Sequence, residues 1–167
     1  HEGYGTYMQP LFSQWLHGDM EYMARLNQMR VDTKNRFPIV SGRPLKEDEV
    51  YNGDRGPGND IYYKAANVLH TLRALVGDEA FFKITKIAVY GTPDPKPGNF
   101  APRYLGTKDF IEIVNQVTGK DYGWFFDVYL YEAQQPELLE TRQGADQVLT
   151  WKTPKDKPFP IPVEVNI

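Results

Sequence analysis

Cysteine is absent from this chain. That excludes a disulfide framework, a thiolate metal site and a cysteine nucleophile, and it assigns no compartment, since reducing and oxidising surroundings both permit it. A basic excess is absent as well: 19 Lys and Arg stand against 22 Asp and Glu, a formal net charge of −3. No positive field is therefore available to attract a nucleic-acid backbone. No apolar run approaches the roughly 20 residues of a membrane-spanning helix, and no stretch reads as a signal peptide. The first residue is His1 rather than Met, so further polypeptide upstream is expected. Histidine is scarce: His1, His17 and His70 are too far apart to pair on one helix face. Neither H-x-x-x-H nor H-E-x-x-H occurs, so no autonomous zinc site is expected, and His17 and His70 read as ordinary helix residues. The G-x-S-x-G elbow and the Walker loop are also missing.

What is present is the composition of a folded domain: 167 residues, 41% of them apolar and 14% aromatic, enough for one domain with a real core. Tyr4, Tyr7, Met8, Leu11, Phe12, Trp15 and Leu16 recur at helical spacing. Pro10 inside that pattern predicts a kink or a restart. Gly18 reads as a stop and Asp19 as the N-cap of a second helix, which carries Met20, Tyr22, Met23, Leu26 and Met29 and ends near Arg36. A loop covers 37–59, its glycines at 53, 56 and 58 reading as flexible rather than phosphate-binding. A third helix is expected over 60–76 and a fourth from Phe81 to before Gly91. Residues 92–106, with Pro93, Pro95, Pro97 and Pro102, form a loop. Thr107 is expected to cap a fifth helix that Gly119 closes, and an aromatic sixth helix covers 124–131.

Beyond Pro136 the pattern changes. Leu149 and Trp151 alternate with Thr150 and Lys152, which predicts a strand over 146–153. A turn at 154–158 and a second strand over 160–167 follow. The expected fold is mainly α, with a helical part at 1–136 and the start of a β domain, a short hairpin or sheet fragment, at 137–167.

Two local motifs stand out, His1-Glu2-Gly3-Tyr4-Gly5-Thr6-Tyr7 and Tyr62-Tyr63-Lys64-Ala65-Ala66. Each has an ordinary explanation when taken alone. Glu2 suits the first turn of a helix, where the macrodipole favours a carboxylate, and Tyr62 suits a packed or surface aromatic.

Together these motifs resemble the aminopeptidase N family of zinc peptidases, the gluzincins. The first is similar to that family's W-L-[HN]-E-G-[FY]-[AG]-T-Y segment from its third residue onward, with Glu2 at the position of the third metal ligand. The second is similar to Y-x-K-G-A, with Tyr62 at the position of the residue that hydrogen-bonds the oxyanion. The sixty-residue interval between Glu2 and Tyr62 suits the family. Leu75-Val76-Gly77-Asp78-Glu79-Ala80-Phe81-Phe82 resembles its L-x-G-x-x-x-F-F link between helices. Thr107-Lys108-Asp109-Phe110, Phe125–Tyr131, Trp151 and Pro162–Val165 resemble later landmarks in the same order. Ala65 departs from the pattern, which usually has Gly there. The H-E-x-x-H helix and the G-x-M-E-N strand that binds the substrate's amino end have no counterpart in this chain.

The resemblance implies the helical C-terminal subdomain of a thermolysin-like catalytic domain. It implies part of a zinc-dependent aminopeptidase that removes N-terminal residues from peptides: Glu2 as a metal ligand, Tyr62 as a catalytic donor, and Lys64 in a supporting role. Tyr7 and Met8 are expected to pack the first helix. Zinc and a peptide substrate belong to the intact parent, and the fragment alone is expected to bind no zinc and to be inactive. The general likeness points to an exported or periplasmic bacterial enzyme. The lack of His ligands also suits a different class of protein, a non-catalytic helical binding or scaffold module derived from a peptidase fold. An H-E-x-x-H upstream of Glu2 separates the two. A fragment of this kind is further expected to self-associate through surface near Glu2 and near the start of the third helix.

Overall fold

Seven helices followed by a β-hairpin account for the regular structure of the computed structural model, which describes residues 1–100 and 103–165. Helix α1 (Glu2–His17) runs through Pro10 without a restart, and Pro10 is itself buried. Helix α2 (Asp19–Asp32) follows at once. Gly18 (φ 87°) closes α1 and opens α2, so Asp19 is the first residue of α2 and not its cap. The Asp19 carboxylate accepts from Gln14 Nε2 at 2.8 Å.

Helix α2 stops at Asp32, four residues short of the expected Arg36. Two features end it. Thr33 is already extended (φ −65°, ψ 134°), and Asn35 adopts φ 54°, a left-handed conformation that keeps the helix from resuming. The buried Asp60 carboxylate also takes the N–H groups of Lys34 (2.8 Å) and Asn35 (2.7 Å). Asp60 was expected inside the third helix. It lies instead in a 3-10 turn (Gly58–Ile61) that precedes it.

Between these points the long loop holds one short helix, α3 (Glu47–Val50). The glycine-rich part is packed rather than flexible: Gly56, Pro57 and Gly58 are buried. A Cβ on Gly56 would collide with the carbonyl of Glu49, so the loop closes on itself only without a side chain there. Arg43 grips Glu49 through two nitrogens (2.6 and 3.0 Å), and Val40 N–H donates to the Leu130 carbonyl at 2.9 Å.

Helix α4 (Tyr63–Val76) is central and touches α1, α2 and α5 (Asp78–Tyr90). Its buried face runs through Lys64, Val68 and Leu72 at i, i+4 and i+8, with Ala66 and Leu69 beside them. Gly77 joins α4 to α5. Helix α6 (Thr107–Thr118) packs on α5. Its N-cap is Gly106 and not Thr107, because the Asp109 carboxylate accepts the Gly106 N–H at 2.8 Å. The left-handed Gly119 closes it. Helix α7 (Gly123–Tyr129) adds Phe125, Phe126 and Val128 to the core. Tyr7, Leu26, Leu72, Phe81, Ile84 and Val114 belong to the buried set.

The hairpin consists of β1 (Glu137–Gln143) and β2 (Asp146–Lys152), antiparallel, with Leu138 opposite Trp151 and Glu140 opposite Leu149. Strand β1 was not foreseen, and the expected strand over 160–167 does not form across its described part, 160–165. Asn166 and Ile167 lie outside the described residues, as does Pro102 of the 92–106 loop. In place of that strand, Phe159 inserts against Trp124, Tyr129 and Trp151, and Trp151 Nε1 donates to the Ile161 carbonyl at 3.2 Å. Among the described residues, no helix is long and apolar enough to cross a membrane.

Candidate functional site

Glu2 and Tyr62 are brought together by the packing of α1 on α4. Glu2 occupies the first turn of α1. Tyr62 occupies the residue between the 3-10 turn and α4 (φ −92°, ψ −64°). The two helices meet at Gly3 and Ala65, where a Cβ on Gly3 would stand 3.1 Å from the Ala65 carbonyl carbon and would overlap the Ala65 methyl. The absence of a side chain at Gly3 is what allows this approach.

Both side chains are half-buried. The Tyr62 hydroxyl is raised above its ordinary phenol value, first by desolvation, then by the negative charge of Glu2, and then by Tyr51. A phenol raised in this way stays protonated at neutral pH and keeps its O–H to donate.

The backbone under Tyr62 is held by two buried charged residues. Asp60 ties the turn to the end of α2, as described above. Lys64, 1% exposed, sends Nζ to the carbonyls of Glu132 (3.0 Å) and Ala133 (2.8 Å). Burial pushes the Lys64 ammonium down to about 8, with Asp60 and Glu132 opposing that shift. Lys64 therefore has a structural role, fastening the start of α4 to the segment after α7. Tyr7 is fully buried in the core as expected, whereas Met8, the next residue, is exposed and does not pack as expected.

His70 is more than a plain helix residue. Tyr7 and Tyr22 share a hydrogen bond at 2.6 Å, and the Tyr22 hydroxyl meets His70 Nδ1 at 2.7 Å. Burial and then Arg73 lower the His70 pKa. His17 is exposed at the end of α1.

Sequence reasoning missed Asp60, Tyr51 and the Tyr22–His70 pair. Lys64 offered a signal, since it falls on the i, i+4, i+8 stripe with Val68 and Leu72, where a lysine must find acceptors. Tyr51 offered none, because it reaches Tyr62 through the fold of a loop.

A catalytic zinc site takes three protein ligands and an open position. Glu2 carries an oxygen donor of a suitable type. Among the described residues, no three His, Asp or Glu side chains converge into a set that could hold a metal ion. No family model, no curated protein and no solved structure matches the chain.

Proposed function

We propose that this chain is part of a zinc-dependent aminopeptidase of the aminopeptidase N type, contributing the third metal ligand, Glu2, and the oxyanion donor, Tyr62. The supporting observation is their juxtaposition. Two residues sixty positions apart, each singled out by a separate motif, lie close enough for the charge of one to shift the ionisation of the other. The remaining ligands and the general base come, on this reading, from polypeptide other than this chain. Zinc, when bound, supplies Lewis acidity and an activated water. Within this chain, Glu2 contributes an anionic oxygen to the metal and lowers its net charge. Tyr62, protonated at neutral pH, donates to the oxygen that becomes negative as a peptide carbonyl is attacked.

The test uses the polypeptide that also carries the H-E-x-x-H segment. Tyr62→Phe is expected to lower turnover on aminoacyl substrates by roughly 100- to 1000-fold while zinc content stays unchanged. Glu2→Gln is expected to lose zinc. Near-normal turnover in Tyr62→Phe overturns the assignment. So does a stoichiometric zinc ion retained by the 167-residue chain alone after dialysis.

A further inference from the structure

Helix α1 carries no charged side chain from Gly3 to Leu16, although Met8, Gln9, Phe12, Trp15 and Leu16 are exposed. A surface helix ordinarily presents charged and polar groups opposite its buried face. Here Met8, Phe12 (60% exposed), Trp15 (79%) and Leu16 face outward. Met20 (89%) is also exposed, just beyond the Gly18 junction in α2. The Phe12 and Trp15 rings lie 5.8 Å apart. Met8, Gln9, Phe12, Ser13, His17 and Arg25 line a shallow groove of about 440 Å³ along the same helix.

We propose that this face of α1 is the contact surface of a homodimer, with a second copy of the chain as its occupant. Area is the first argument. At about 200 Å² for a large apolar side chain, the exposures of Met8, Phe12, Trp15 and Leu16 leave on the order of 500 Å² of apolar surface on one face. A stable interface of ordinary size buries about 800 Å² a side, of which about 60% is apolar. The face supplies that amount, and its Trp, Phe and Met are the residue types of an interface core, with His17 and Arg25 at the edge of the groove.

Symmetry is the second argument. Met8, Phe12 and Leu16 are spaced at i, i+4 and i+8, so the stripe is symmetric about Phe12. An antiparallel two-fold pairing stacks Phe12 on the partner's Phe12 and sets Met8 on the partner's Leu16, which closes the contact without leaving a further face free.

Sedimentation velocity on the 167-residue chain, from micromolar to submillimolar, tests this. The chain is expected to pass from monomer to dimer as concentration rises. Phe12→Glu, whose side chain is exposed in the monomer, is expected to remain monomeric with an unchanged far-UV spectrum, a weakening on the order of a hundredfold or more. Because the chain has no cysteine of its own, Phe12→Cys is expected to cross-link to itself under mild oxidation, and Val89→Cys, exposed on α5, is expected not to. A wild-type chain that is monomeric throughout overturns the proposal, as does a dimer that survives Phe12→Glu. Cross-linking of Val89→Cys as efficient as that of Phe12→Cys, or co-sedimentation with phosphatidylcholine vesicles in place of dimerisation, also overturns it.

Discussion

Gly3 of α1 and Ala65 of α4 touch so closely that a methyl group on Gly3 would overlap the methyl of Ala65. This contact sets the separation of the two helices at the end where Glu2 and Tyr62 lie. Gly3→Ala should gain up to about 1 kcal/mol from helix propensity and lose about 1–3 kcal/mol by overpacking, a net loss. Ala65→Gly should relieve the overlap. In urea denaturation of the two single variants and the double variant, the double is expected to be more stable than the sum of the singles implies. Additive losses would show that the helices do not meet here.

The alkaline stability profile should carry the signature of Lys64. Its folded value is about 8 against an ordinary 10.5, so between those values the unfolded chain holds a proton that the folded chain has released. Stability therefore rises with pH across that interval, by at most about 3 kcal/mol. Tyr4 and Tyr129 act in the opposite sense. Burial raises both to about 12, so their contribution is complete below the ordinary phenol value of about 10 and is lost as pH rises toward 12. Denaturation from pH 7 to 11 should show a maximum between about 9 and 10. Lys64→Met should abolish the rise and leave the fall.

The helices were legible because burial imposes a period; of the hairpin, β2 was legible and β1 was not. Every residue of β1 is exposed, so Glu137-Leu138-Leu139-Glu140 carries no alternation for a reader to find. The reverse happened at 160–165, where Val163 and Val165 alternate with polar residues but no partner strand is paired with them among the described residues. Helix ends were read to within a few residues except at α2, whose stop is dictated by Asp60 from a distant loop. At the site, Glu2 and Tyr62 could be singled out by motif. Their proximity depends on Gly3 meeting Ala65, and no local pattern in the sequence encodes that pairing of helices.

The C-terminal segment should be attached through Phe159 and Glu132. A two-stranded hairpin exposed on both faces has little stability of its own, and Phe159 fastens it to Trp124 and Tyr129 of α7. The buried Glu132 carboxylate meets Lys155 and Lys157, each at 2.9 Å. Lys157 first and then Lys155 hold it below the ordinary carboxylate value. That contribution is present above the unfolded value of about 4.3 and is lost as pH falls through the lower folded value. Phe159→Ala should cost the segment about 3 kcal/mol. It should speed proteolysis within residues 137–152 and leave exchange of the α4 amides unchanged. Protection of the hairpin that persists in this variant would require another anchor.

The hydrogen-bonded chain Tyr7–Tyr22–His70 should lose stability unequally when it is cut at different points. With burial and Arg73 keeping His70 neutral at pH 7, a proton on Nε2 leaves Nδ1 to accept from Tyr22 O–H, and Tyr22 oxygen to accept from Tyr7 O–H. Tyr7 is then the terminal donor, and its ring is completely enclosed. Removing its hydroxyl frees an acceptor that still keeps its own donor bond, so Tyr7→Phe should cost about 1 kcal/mol or less. Tyr22→Phe strips the partner from the buried Tyr7 hydroxyl and from His70 Nδ1 together, at a cost of about 2–3 kcal/mol. The double variant should cost less than the two singles summed, because the stranded Tyr7 hydroxyl is gone. Nitrogen-15 shifts of His70 should report the Nε2–H tautomer in the wild type and a more even tautomer mixture in Tyr22→Phe. Equal and additive losses, with unchanged His70 shifts, would mean that the three groups are neighbours without being a chain.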